Sequence, residues 1–158
     1  MNSNLLNIPS DAQVAILGVG SELRGDDAAG VKVVRNLKEK LDSPKLLLID
    51  AGSVPENFTS KVRNFNPTHI ILIDAVDFGE EPGKIAHVNP EDIVGQVTST
   101  HRLPLSILMN YLRERTGAEV ILIGIQSAQV KMGSEMTAQV EDGVRELVGF
   151  LTRKFGSL

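Results

Sequence analysis

The chain has no cysteine and no tryptophan, and only one tyrosine and five phenylalanines among its 158 residues. Without cysteine there is no disulfide, no thiol nucleophile, no thiolate metal ligand and no iron–sulfur cluster. So few aromatic rings remove the stacking platforms on which unpaired bases or sugars are read. There is no long basic run, and a formal net charge of −4 argues further against a nucleic-acid partner. No secretory leader and no unbroken apolar stretch of membrane-spanning length is present, so the expectation is a soluble cytoplasmic protein without a membrane partner. Nucleophile motifs are missing as well: there is no Gly-x-Ser-x-Gly elbow and no His-Glu-x-x-His helix. A hydrolase built from this chain would use water as the attacking species, activated by a carboxylate or by a metal.

What is present suits one hydrophobic core. At 42% hydrophobic residues the length fits a single domain over 1–158, with the polar stretch 1–11 expected to be a short frayed leader. The organising segment is Val14–Gly30. Val14-Ala15-Ile16-Leu17 is apolar without alternation, as in a central strand covered on both faces. Gly18, Gly20 and Gly25 then mark a turn that needs unusual backbone angles or close approach. From Ala28 the spacing of Val31, Val34, Leu37 and Leu41 is helical, which puts Asp26 and Asp27 at a helix entrance. An acid there can simply cap free amides, and one Asp suffices for that. A dinucleotide fingerprint is disfavoured because Leu23 stands where its third glycine belongs.

Two more apolar runs end in acids, Lys45–Asp50 in Asp50 itself and Thr68–Ile73 in Asp74, with Asp77 three residues on. A short helix over Glu56–Phe65 separates them, closed by Asn66 and Pro67. Lys84–Asn89 alternates like an edge strand and follows the tight turn Gly79–Gly83, so it should run antiparallel to its predecessor. Pro104 starts a helix reaching Arg115, Glu119–Ile125 is the last buried strand, and Ser134 is the expected cap of a final helix. The pattern predicts an α/β three-layer sandwich: a mainly parallel twisted sheet of about five strands with one antiparallel strand, and helices on both faces. Such sheets bind ligands at the carboxyl ends of their strands, where Asp27, Asp50 and Asp74 would gather and call for a compensating cation.

The longest connections are Ala51–Glu56, Ala75–Gly83, Gly95–Leu103 and Gln126–Gly133. His69 adjoins a strand start and His87 sits in the edge strand, as ordinary surface or packing residues do. His101 is placed differently, in a hydroxyl-rich loop before a proline-started helix, free to meet the acids. Two carboxylates and an imidazole without thiolate suit nickel, zinc, iron or manganese, with open coordination positions.

These residues resemble the hydrogenase maturation endopeptidases, which trim the C-terminal extension of the large subunit of nickel–iron hydrogenases. Gly18–Gly30 is similar to the family's opening signature, Asp50–Asn57 to its second loop, Asp74–Gly79 with Pro82-Gly83 to its third, and Thr100–Leu105 to its fourth. Gly124-Ile125-Gln126 and a closing helix complete a match from about Val14 to Val148, in which four ordered motifs are far more specific than one. Ser21 stands where the family often has Asn, and Ala28 where Gly is common. The resemblance implies a nickel-dependent, aspartic-type endopeptidase. Asp27, Asp74 and His101 would contact the metal, and either Asp27 or Asp74 would act as general base. It implies further that the partner is the large-subunit precursor and that the nickel is supplied by this substrate as a recognition mark. Two other readings use the same residues: a non-proteolytic nickel-binding maturation checkpoint, and a metal-dependent phosphohydrolase, which lacks a phosphate-cradling loop.

Overall fold

The fold is seen in a computed structural model, and the residues described are 5–94 and 103–158. Among the described residues five strands form one sheet: β1 (Val14–Val19), β2 (Leu46–Gly52), β3 (His69–Val76), β4 (Ile85–His87) and β5 (Glu119–Gln126). The order across it is β2-β1-β3-β5-β4, all neighbours being parallel except β4 and β5. The helices are α1 (Ala29–Lys40), α2 (Thr59–Phe65), α3 (Leu105–Thr116) and α4 (Ala138–Phe155). This is the α/β three-layer arrangement expected from the sequence.

The unalternated apolar runs are explained by two cores, one on each face. Val14, Ile16, Ile71, Ile73, Ile121 and Ile123 point to the side covered by α1 and α4, where they meet Val34, Leu37, Val144 and Leu147. Ala15, Leu17, Ile70, Leu72, Val120 and Leu122 point the other way, onto Val62 of α2 and Leu108, Met109 and Leu112 of α3. Because side chains alternate along a strand, a strand covered on both faces must be apolar at every position.

The structure departs from the sequence-based expectations at four places. β4 is antiparallel and at an edge, but it pairs with β5 and not with its predecessor β3, because β5 occupies the place beside β3. β2 is the opposite edge strand and only half buried. Helix α4 begins at Ala138 after Thr137, while Ser134 donates its hydroxyl to the Lys131 carbonyl and caps nothing. The described part of the expected leader is anchored: Leu6 is 3% exposed and sits in the α1/α4 core, with Leu5 and Ile8 packed against it. Apolar spacing was too sparse in that stretch to reveal its packing.

Candidate active site

In the order β2-β1-β3 the chain turns to opposite sides from β1, so the carboxyl ends of β1 and β3 diverge into a crevice at the topological switch point. Asp27 follows β1 and Asp74 lies near the end of β3. Two glycines make their approach possible. Gly20, at φ +140°, leaves no room for a Cβ, which would stand 1.8 Å from the Asp27 carbonyl oxygen. A Cβ on Gly30 would lie 2.1 Å from the Ile73 carbonyl oxygen and 2.6 Å from that of Val19. The start of α1 therefore rests directly on the ends of β1 and β3, one residue before Asp74.

The two aspartates at the helix entrance have different fates. Neither caps α1 through its side chain; a 3₁₀ turn, Gly25–Ala28, leads into that helix. Asp26 is 0% exposed, and its carboxylate accepts the N–H groups of Ala128, Gln129 and Thr137 at 2.7–2.9 Å together with the Thr137 hydroxyl. It ties the loop between β5 and α4 to the turn. Asp27 is 9% exposed and accepts the Ser21 N–H at 2.9 Å through Oδ2, a charge-assisted bond that orients the carboxylate. Asp74 is 3% exposed.

Asp27 and Asp74 line one cavity of about 670 Å³. Its wall takes Ser53 and Val54 from the loop after β2, Ala75, Val76 and Asp77 from the end of β3, and Ser127, Ala128, Val130 and Met132 from the loop after β5. Three of the four long connections thus meet there. The fourth contains His101, which falls within residues 95–102 and outside the described residues, although the flanking Val94 and Leu103 both line the cavity. Among the described residues no three His, Cys, Asp or Glu side chains are grouped to hold a metal ion.

Asp50 does not join this pair. The Nε–H of Arg35, on α1, donates to Asp50 Oδ2 at 2.7 Å and Nη2 donates to Glu22 Oε1 at 2.5 Å. The compensating cation for the third strand-end acid is supplied by the protein itself. Hydrogen bonding to Arg35 holds the Glu22 carboxyl below its ordinary value, and the two carboxylates raise the Arg35 guanidinium. The other organiser is Gln126, 4% exposed, which the sequence marked as part of a motif without a role. Its Oε1 accepts the N–H groups of Phe78 and Glu80, and its Nε2 donates to Asp77 Oδ1. A polar residue closing an otherwise apolar strand was the available signal.

The arrangement offers carboxylates that can take a proton from water beside a bound chain, and the chain as a whole is similar to known proteins. Residues 31–154 match the HycI hydrogenase maturation protease family. The hydrogenase 3 maturation protease of Escherichia coli is 37% identical over 132 residues, covering 82% of each chain. The crystal structure of the nickel–iron hydrogenase maturation protease HycI from Thermococcus kodakarensis superposes with a TM-score of 0.83 at 32% identity, covering 92% of this chain and 93% of that one. The solution structure of the endopeptidase HycI from Escherichia coli gives 0.77 at 33% identity, over 91% and 90%. With the family match, the sequence identity and the fold in agreement, this chain belongs to the hydrogenase maturation protease family.

Proposed function

We propose that this protein is the cytoplasmic endopeptidase that removes the C-terminal extension of the nickel-loaded large-subunit precursor of a nickel–iron hydrogenase, reading the precursor's nickel as its mark. The observation that carries the reading is the pair of buried carboxylates, Asp27 from the turn after β1 and Asp74 from β3, brought to one cavity of about 670 Å³. Among the described residues no helix is long and apolar enough to cross a membrane. The oxygen donors suit a hard or borderline cation. His101 would be the third group facing the nickel, as the resemblance implies.

In this mechanism Asp27 or Asp74 takes a proton from water as the water oxygen bonds to the scissile carbonyl carbon; the C–N bond then breaks and the proton passes to the departing amine. The precursor's nickel supplies Lewis acidity and a coordination contact. Two carboxylates and one imidazole bind nickel weakly without a partner, so the enzyme alone does not retain it. A coordination contact of about 3 kcal/mol, made only with loaded precursor, gives a preference of roughly a hundredfold.

The test incubates metal-free enzyme with nickel-loaded precursor and, separately, with nickel-free precursor plus excess free nickel, and weighs the products. Release of the C-terminal peptide from the loaded precursor alone is expected. Equal release from both would make nickel a cofactor of the protease and end the recognition mechanism. Binding without release would leave a checkpoint protein in place of a protease.

A further inference from the structure

Among the described residues that line the cavity, Arg24 is the only lysine or arginine. It shares that wall with Asp27, Asp74 and Asp77, yet its side chain makes no ion pair or hydrogen bond with any described residue. Its backbone is fixed, since its N–H donates to the Ser21 carbonyl and its own carbonyl accepts the Asp27 N–H. Arg35, near the same sheet edge, is by contrast committed to Glu22 and Asp50. Arg24 is thus a half-buried cation, held beside the acids without being matched to them.

The exposed large hydrophobic residues are placed with equal economy. Among the described residues they are Leu23, Val54, Val94, Ile107 and Met132. Val54, Val94 and Met132 line the cavity, Ile107 follows its wall residue Ser106, and Leu23 lines the smaller adjoining cavity that shares Ser21 and Ser53. Single apolar residues scattered over a surface mean little, whereas three that line one cavity and a fourth in the cavity adjoining it mark an interaction surface.

We propose that this mouth docks an extended segment of the polypeptide substrate, with apolar side chains on Leu23, Val54, Val94 and Met132 and an acidic side chain on Arg24. The inference rests on the protease reading. Charge decides the polarity of the segment. Asp77 Oδ1 already accepts the Gln126 and Gly79 N–H groups, and Asp27 and Asp74 are buried in the crevice. Without a partner among the described residues, this cation meets the incoming chain, favouring an acidic side chain and repelling a basic one.

The experiment measures precursor binding by calorimetry and peptide release by mass for the wild type, Arg24→Gln and Arg24→Lys, with thermal melts to confirm folding. Arg24→Gln should weaken binding about tenfold, as for a lost charge-assisted hydrogen bond, while kcat stays within about twofold. Arg24→Lys should recover most of the affinity. Raising the salt from about 0.05 to 0.5 M should weaken wild-type binding and narrow the gap between variants. Wild-type affinity in Arg24→Gln, or a fall in kcat at unchanged affinity, would overturn the docking role. Equal affinity for a precursor whose acidic side chains near the cut are changed to amides would overturn it too. A wild type that binds without releasing peptide would defeat the protease reading alone, because the affinities would still compare; a wild type that does not bind would defeat both.

Discussion

Thr137 donates its backbone N–H at 2.7 Å and its hydroxyl at 3.0 Å to the Asp26 carboxylate, 111 residues away along the chain. The contact joins the turn after β1 to the residue preceding α4. With the Ala128 and Gln129 N–H groups on the same carboxylate, Asp26 fixes the Ser127–Met132 loop against the Asp27 turn and so shapes the cavity wall.

Asp26→Asn should be strongly destabilising although the two side chains have the same shape. An amide nitrogen would face N–H donors, and at least one buried donor would lose its acceptor. A loss of about 3 kcal/mol is expected. For a chain of this size that corresponds to a melting temperature lower by on the order of 10 °C. An unchanged melt would show that the loop holds without the carboxylate.

Asp27→Asn should behave in the opposite way. The Asn oxygen can still accept the Ser21 N–H, and losing the favourable charge near the start of α1 costs about 0.5 kcal/mol. Peptide release should fall at least about a hundredfold, as for a removed general base. A denaturation curve and a release assay on one preparation separate the two effects. Unfolding on substitution would make Asp27 structural.

Gly30→Ala tests whether the close seating of α1 creates the site. The added methyl meets the carbonyl oxygens of Ile73 and Val19, which belong to sheet backbone and cannot swing aside. Destabilisation of about 2–3 kcal/mol is expected, as in an overpacked core. Release should fall even in the fraction that remains folded, because the helix can yield only by carrying Asp27 away from Asp74. Full activity per folded molecule would break that link.

The Arg35 clip predicts a pH effect of known sign. Hydrogen bonding to Arg35 lowers Glu22, so the ion pair contributes fully above the ordinary Glu value near ~4.3 and is lost as pH falls through the lowered value. Arg35 shifts upward, which has no consequence below strongly alkaline pH. Carboxyl NMR should find the Glu22 midpoint below that of a free Glu, and Arg35→Ala should return it upward. Because Glu22 lies at the surface, the effect on stability should be small and should fade with salt. An unmoved midpoint in Arg35→Ala would show that the pair does not form in solution.

The sequence alone determined the strands, the layers and the edge at which the loops collect. An apolar run covered on both faces, a helical repeat and a glycine-rich turn are local signals, and parallel strands joined by helices must present their carboxyl ends together. Asp27, Asp50 and Asp74 were legible as acids at that edge for that reason, while the choice of Asp27 and Asp74 among them came from the resemblance to a family. Tertiary structure alone decided what each acid does, because the deciding partners are distant: Asp26 meets Ala128, Gln129 and Thr137, Asp50 meets Arg35, and Asp27 lies against β3 because Gly30 lets α1 touch it. Three aspartates in similar turns look alike along the chain, since a carboxylate's role is set by the donors that reach it in space. The pairing of β4 with β5 and the burial of Leu6 were hidden in the same way, being choices among surfaces that exist only once the sheet has formed.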